Sequence, residues 1–205
     1  MKKILVALFC LAGMGLTSCF VDDDDNQALT PQEIGQCLNT IKGNYTGKML
    51  FENHNPDNAS DIVDTLDIAW SITADTMIVI NAFPQTVILD RINEEPMKTA
   101  LEEADPAPLR AVLAFYSNNP ISFLAYPYSV VYDIELNGTA HKAILAFWVN
   151  TYSYGLFDKA TQVLQVKLQA AGLYLDENTT HNYLTNSDYD NSSIPIIITN
   201  SNLSK

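Results

Sequence analysis

The sequence predicts a mainly β fold of the α+β class, an antiparallel meander sheet or a barrel, with an N-terminal helix and a central helical insert. Stretches in which apolar and polar residues alternate recur along most of the chain, as in strands with one buried face. The pair Asn137-Gly138 stands between two of them and favours a tight hairpin turn. With 205 residues, of which 47% are hydrophobic, the chain is long enough for one substantial core. A sandwich of two sheets is the second interpretation.

Residues 1–18 are predicted to be a signal peptide rather than part of the fold. Lys2 and Lys3 precede an apolar run, residues 4–16, which is too short to cross a bilayer core that needs about 20 residues. The run ends in Leu16-Thr17-Ser18-Cys19, which resembles the lipobox of bacterial lipoproteins. We therefore expect cleavage before Cys19 and lipidation of its sulfur. The alternative is an ordinary secretory signal with a cysteine near its end.

Residues 19–29 are predicted to be a lipidated tether, and residues 30–205 a single β-rich domain. The tether contains four consecutive aspartates, residues 22–25, and such a run is typical of a solvated, extended segment. It also resembles the acidic export signal of surface lipoproteins of Bacteroidetes. Phe20 rather than aspartate follows Cys19, so the familiar inner-membrane retention signal is missing. These features predict a lipid anchor in the outer membrane and exposure on the cell surface.

Charge and cysteine content narrow the range of partners. The 11 basic and 24 acidic residues give a formal net charge of -13, which disfavours nucleic acid and anionic membrane surfaces as ligands. Once Cys10 leaves with the signal peptide and Cys19 carries lipid, Cys37 has no cysteine partner within the chain. No intramolecular disulfide is therefore expected.

An N-terminal helix is predicted from residue 30 onward. Thr30 can cap it, Pro31 suits the first helical position, and Glu33 completes a capping box. Gly43 is a plausible stop. A stripe of apolar residues at helical spacing lies between these signals and assigns Cys37 to the core. The stripe consists of Ile34, Cys37, Leu38 and Ile41.

Seven to nine strands are predicted, mostly joined as antiparallel neighbours. Residues 143–149 are apolar throughout and are expected to lie deep, whereas Pro195 indicates an edge strand. The strands that can be placed individually cover residues 45–52, 62–73, 77–83, 129–136, 140–152, 164–170 and 194–199.

The central helical insert is predicted as one or two helices. Asn93 can cap the first, whose apolar side would contain Met97, Ala100, Leu101 and Ala104. A second helix is predicted after Asp105-Pro106 and ends at residues 117–120. Its apolar residues at helical spacing are Leu109, Val112, Leu113 and Tyr116.

The lipobox, the acidic tether and the capped helix are followed by Ile41-Lys42-Gly43-Asn44-Tyr45-Thr46-Gly47-Lys48 at the start of the first strand. This combination resembles a family of uncharacterised Bacteroidetes lipoproteins, the domain of unknown function 4840. The likeness covers nearly the whole chain. It implies an extracytoplasmic location and a lipocalin-like β architecture, and it carries over no catalytic residues.

Motifs of enzymatic chemistry are missing from the sequence, and no cofactor is predicted. The chain has neither a glycine-rich phosphate loop nor a Gly-x-Ser-x-Gly or His-Glu-x-x-His motif. His54, His141 and His181 lie in three separate polar turns, which disfavours a shared metal site. Asp133 and Glu135 share one strand face, as a hydrolase of glycosides could use, but any solvated strand looks the same.

Two loops offer the oxygen ligands that calcium prefers. Residues 57–61 and 188–191 are rich in aspartate and asparagine, although neither follows the EF-hand order. Polar turn chemistry explains both loops without a metal.

Five tyrosines and one tryptophan within 29 positions form the most suggestive functional feature. Tyrosine and tryptophan present a flat apolar face with a polar tip, which suits sugar rings and protein partners. About half of these residues, which also include Tyr132, are expected in the core, and Tyr152 and Tyr154, next to Gly155, are expected to be exposed. The tentative ligand-binding residues are Tyr126, Tyr128, Trp148, Tyr152 and Tyr154.

The sequence thus favours a non-catalytic lipoprotein that binds a glycan, a small apolar molecule or an envelope protein outside the cell. A hydrolase of extracellular polymers and a structural adhesin or pilus-like subunit are the alternatives. Two facing carboxylates in a cleft would favour the hydrolase. An unpaired apolar edge at residues 194–198 would favour assembly by strand exchange.

Overall fold

The computed structural model describes residues 28–52, 63–92, 94–184 and 194–200. The predicted signal peptide, Cys19, most of the tether, His54, Asn93 and both predicted calcium loops lie outside these residues. The described residues contain two helices, α1 (Pro31–Ile41) and α2 (Glu95–Glu102), and ten strands. The strands are β1 (Gly43–Glu52), β2 (Val63–Ile72), β3 (Met77–Phe83), β4 (Ala107–Asn118), β5 (Ile121–Pro127), β6 (Val130–Leu136), β7 (Thr139–Trp148), β8 (Tyr154–Asp158), β9 (Val163–Leu175) and β10 (Ile194–Asn200).

Eight of these strands form a closed antiparallel barrel. Their order is β1-β2-β3-β4-β5-β8-β9-β10, and β10 pairs with β9 on one side and with β1 on the other. The predicted mainly β fold is confirmed, and the closed ring favours the barrel over a two-sheet sandwich. The hairpin β6–β7 branches out of the ring, with β7 pairing along the second half of β9. Its turn has positive φ at both Asn137 and Gly138, as the sequence predicts.

Helix α1 covers the end of the barrel at which β1 begins, which we call the first end. The predicted capping box is present, because Glu33 N–H donates to the Thr30 hydroxyl while the Glu33 carboxylate accepts from Thr30 N–H at 2.8 Å. These hydrogen bonds hold the pKa of Glu33 below its usual range. Cys37 and Ile41 are buried against the barrel, and the Tyr45 hydroxyl donates to the Ile41 carbonyl. Cys37 is therefore a core residue, as predicted.

The other end of the barrel, which we call the second end, is covered by the helical insert and the β6–β7 hairpin. Tyr132 of β6 is fully buried, and its hydroxyl donates to the Phe83 carbonyl at 3.4 Å. The segment after β9 also closes over this end through a bridge between Ile92 and Leu184. Within the described residues, no helix is both long enough and apolar enough to span a bilayer.

Side chains fill the inside of the barrel between these two covers. An eight-stranded barrel is just wide enough for its inward residues to meet across the axis or to hold one small ligand. Here the inward residues join a single hydrophobic cluster with both covers. The inward residues with no exposed surface include Met49, Ile78, Ile80, Leu109, Ala111, Phe123, Ala125, Leu164, Val166, Leu168, Ile196 and Ile198.

The second helix predicted for the insert is wrong, because its residues form strand β4. Leu109 and Leu113 are four residues apart, a spacing that fits one face of a helix and one face of a strand equally well. In the barrel both point inward together with Ala111, while Arg110 between them is exposed. Because β3 and β5 pair with β4 on either side, sheet formation overrides the local helical pattern.

The prediction that Pro195 marks an edge strand is also wrong. β10 is hydrogen-bonded on both sides along most of its length. The proline is tolerated because it is the second residue of the strand, one position before pairing with β1 begins at Ile196 and Phe51.

Gly47 permits the closest approach of β1 to β10, so replacing it should open the barrel. A Cβ at this position would lie 1.9 Å from the Thr199 carbonyl oxygen, a backbone atom that cannot move aside. We expect Gly47→Ala to lower the free energy of unfolding by at least about 2 kcal/mol. In the matched control Gly35→Ala, the new Cβ in α1 meets no atom within 4 Å, and stability should rise slightly. Urea denaturation of both variants measures the difference. An unchanged midpoint for Gly47→Ala would contradict the described closure.

Candidate functional site

The five tentative ligand-binding residues lie on the outer wall of the barrel toward its second end. Leu124 of β5 pairs with Tyr154 of β8, and the Ala125 N–H donates to the Ser153 carbonyl at 2.8 Å. Continuing this register places Tyr126 opposite residue 152. The structure therefore brings together residues from β5, the end of β7 and β8. We call this set the aromatic panel: Tyr126, Tyr128, Trp148, Tyr152 and Tyr154.

Trp148 and Tyr152 are the most prominent members of the aromatic panel. Their side chains are 48% and 57% exposed, and their ring centroids lie 5.9 Å apart with an angle of 40° between the ring planes. Tyr128 is equally exposed, whereas Tyr126 and Tyr154 are half-buried. The expected exposure is therefore confirmed for Tyr152 and is wrong for Tyr154, whose ring packs on the barrel wall beside Lys167. The expectation that residues 143–149 all lie deep is therefore wrong at Trp148 and Val149, because the strand leaves the covered part of the wall there.

Ser153 holds the loop between the two exposed rings in place. It is fully buried, and its hydroxyl donates to the Trp148 carbonyl at 2.5 Å while accepting the Gln169 N–H at 3.1 Å. The loop between the rings forms a short 3-10 turn whose first residue, Asn150, has φ of 60°. A loop tied to the barrel wall in this way loses little further freedom when a ligand binds. Sequence reasoning did not identify Ser153, because nothing in its local pattern distinguishes it from other loop serines.

Gly155 fixes the wall behind Tyr154. It pairs with Phe123 across the β5–β8 ladder, and a Cβ on it would lie 2.1 Å from the Phe123 ring. The ring therefore covers the glycine from inside the barrel. Packing of this type stabilises a glycine within a strand and keeps β8 close to β5.

The aromatic panel belongs to an uncharged part of a strongly acidic protein. Residues 111–132 and 143–157 contain no aspartate, glutamate, lysine or arginine. Depletion of charge together with exposed tyrosine and tryptophan is typical of binding surfaces. This signal is visible in the sequence, but only the register of the strands shows that the two segments lie side by side.

Arg110 borders this uncharged surface beside Tyr128, whose N–H donates to the Arg110 carbonyl at 2.8 Å. Lys167 borders it as well. It pairs with Tyr154 across the β8–β9 ladder, and its ammonium lies 5.9 Å from the Tyr154 ring centroid. The side chain is half-buried, and this burial lowers the pKa of Lys167.

The histidines of the described residues have separate partners. His141 Nδ1 lies 2.9 Å from Asp176, and His181 Nε2 lies 2.5 Å from Glu94. Within the residues that the structure describes, no three histidine, cysteine or carboxylate side chains are grouped as metal ligands.

The carboxylates singled out from the sequence are solvated. Asp133 forms an ion pair with Lys142 on the surface. Glu135 borders a shallow depression of about 390 Å³ together with Glu95 of α2 and Glu103, the residue that follows this helix. All of these acidic side chains are exposed, whereas the general acid of a glycosidase has apolar surroundings that raise its pKa.

Removing the Ser153 hydroxyl should loosen the exposed pair of rings. Ser153→Ala leaves the buried Gln169 N–H without its acceptor, so we expect a loss of about 1 to 3 kcal/mol in the free energy of unfolding. The control Thr151→Ala changes an exposed hydroxyl of the same loop and should cost less than about 0.5 kcal/mol. Chemical denaturation measures stability, and acrylamide quenching of tryptophan fluorescence measures exposure. Equal stability of the two variants would show that Ser153 does not tie the loop to the wall.

Comparison with known proteins identifies a family but no function. Residues 40–175 match the family model described as domain of unknown function (DUF4840), which spans β1 to β9 and stops before the closing strand β10. No curated protein and no solved structure matches the chain. Since the matched region covers more than half of the chain, the protein belongs to the DUF4840 family.

Proposed function

We propose that the protein is a non-catalytic binding protein that is lipid-anchored at Cys19 in the outer membrane, is exposed on the cell surface, and holds glycans on its aromatic panel. The observation that carries this proposal is the pair Trp148 and Tyr152, two large rings that are about half exposed and rigidly linked to the barrel wall. Water-exposed aromatic rings are costly unless a partner covers them, and the flat faces of sugar rings fit them well.

The loop between the two rings offers neutral hydrogen-bonding groups. Asn150 and Thr151 are both exposed, and they supply an amide and a hydroxyl beside the aromatic faces. A sugar presents apolar C–H groups on its ring face and hydroxyls around its edge. The arrangement of rings flanked by neutral polar side chains therefore suits a sugar better than a purely apolar molecule.

The filled interior of the barrel supports ligand binding on the outer wall rather than inside the barrel. The family resemblance suggests a lipocalin-like architecture, and proteins of that shape can hold a ligand within the barrel. Here Phe123, Leu109 and Ile196 are fully buried parts of one continuous core. We therefore propose that the likeness to lipocalins concerns the barrel alone, and that the ligand site lies on the outside.

The position of α1 supports an orientation in which the aromatic panel points away from the proposed anchor. The chain reaches the barrel through α1 at the first end, where Glu33 accepts a hydrogen bond from Asn118 at 3.1 Å. Trp148 pairs with Gln169 at the second end. With lipid on Cys19, the membrane would attach on the side of the first end, and the aromatic panel would face outward toward soluble or cell-wall glycans.

Strand exchange, the binding mode of the adhesin alternative, loses its main support. The edge that the sequence suggested for it, residues 194–198, is hydrogen-bonded to β9 and β1. Only an unpaired edge can accept an added strand.

Truncating both exposed rings should abolish glycan binding. We expect the double variant Trp148→Ala, Tyr152→Ala to bind soluble polysaccharides more than tenfold more weakly, because exposed aromatic anchors at binding sites contribute about 2 kcal/mol or more. Affinity electrophoresis of the protein in gels containing one neutral or acidic polysaccharide each measures retardation. The control Val131→Ala removes an exposed apolar side chain on β6 and should bind like the wild type. Failure of the wild type to bind any polysaccharide, or equal retardation of the double variant, would refute the proposal.

A further inference from the structure

Lys167 lies within reach of the proposed glycan site. It is the middle residue of a row on the outer wall, between Tyr154 of β8 and Ile197 of β10. Gln169, two positions further along the same face of β9, pairs with Trp148. Two residues along a strand span about 7 Å, roughly the width of one sugar ring and a substituent. A group attached to a ring on Trp148 can therefore reach the Lys167 ammonium.

The Lys167 ammonium has no carboxylate partner among the described residues. Two other surface lysines are paired with carboxylates, Lys48 with Asp67 at 2.6 Å and Lys142 with Asp133. Lys167 instead contacts the face of the Tyr154 ring. On the strands beside it, Leu156 of β8 and Ile197 of β10 are close to Lys167, whereas the acidic residue of β8, Asp158, pairs with Val163, four residues away along β9. A partly desolvated cation with no anion nearby is an unfavourable arrangement that an anionic ligand group would relieve.

Charge over the whole protein limits what that anionic group can be. The formal net charge of -13 repels dense polyanions over distances of about one Debye length, roughly 8 Å at physiological salt. For a single carboxylate in direct contact with Lys167, attraction to the ammonium outweighs this repulsion, because the attraction acts over a much shorter distance.

We propose that Lys167 is the anion-recognition residue of the aromatic panel, and that the panel takes glycans containing a hexuronic acid, a sugar whose ring bears one carboxylate. This assignment rests on the proposed glycan-binding function and adds the chemical class of the sugar. The ring would stack on Trp148 and Tyr152 while the carboxylate accepts hydrogen bonds from the Lys167 ammonium.

Two ligands with the same sugar rings, one with free carboxylates and one with neutral methyl esters, test this assignment directly. Isothermal titration calorimetry would compare a linear trimer of galacturonic acid with the same trimer methyl-esterified at each carboxylate. We expect the wild type to bind the free acid about tenfold more tightly, as a charge-assisted hydrogen bond requires. Lys167→Met should lose this preference while still binding the ester, and Lys167→Arg should retain most of it. The control Lys48→Met removes a lysine that is already paired with Asp67, so the preference should stay.

The possible outcomes separate this inference from the proposed function. Equal affinity of the wild type for both trimers, or an unchanged preference in Lys167→Met, would overturn the role of Lys167 while leaving glycan binding intact. If neither trimer binds the wild type, the hexuronate assignment fails, and the polysaccharide series with Trp148→Ala, Tyr152→Ala decides the proposed function on its own.

Discussion

The structure depends on one pairing, that of β10 with both β9 and β1. β10 is the last described strand, and it turns an open sheet into a ring by pairing with β9, the strand before it, on one side and with β1, the first strand, on the other. A ring has no free edge, so every strand in it is held on two sides. The hydrogen bonds of β10 also place Ile194, Ile196 and Ile198 inside, where all three are completely buried. The family match ends before β10, so closure in this protein relies on a segment outside the matched region.

The barrel is closed, and side chains fill its interior. Its outer wall is therefore the surface on which features specific to this protein can be found. The protein is strongly acidic, with a formal net charge of -13, yet residues 111–132 and 143–157, which include β5, most of β4 and β8 and the end of β7, carry no charged side chain. The rings of Trp148 and Tyr152, which are held in place on the barrel, lie at one end of this uncharged region, and Lys167 borders the region. Uncharged, aromatic and rigid surfaces bind with little cost in desolvation or lost freedom. The proposed function follows from this combination rather than from any pocket.

The sequence correctly predicts the elements of the fold that depend only on residues close together in the chain. The capping box at Thr30 and the turn at Asn137-Gly138 form as expected, because each depends on residues a few positions apart. The local pattern of β4 predicts a helix, and β5 and β8 are not predicted individually. These three strands are stabilised by pairing with neighbouring strands, which the local sequence does not show. The aromatic residues were recognised by type. Their grouping, the supporting hydroxyl of Ser153 and the role of Lys167 depend on strand register, which distant segments decide together.

Native-state amide hydrogen exchange along β10 tests the central claim most directly. If this strand closes the barrel, its amides should exchange only when the whole protein unfolds, as slowly as those of β9 with which it pairs. Mass spectrometry of peptides covering residues 194–200 would show this protection at several denaturant concentrations. Rapid exchange of β10 while β9 stays protected would mean that the strand frays from an open sheet, and would contradict the closed barrel on which the wall and its binding surface depend.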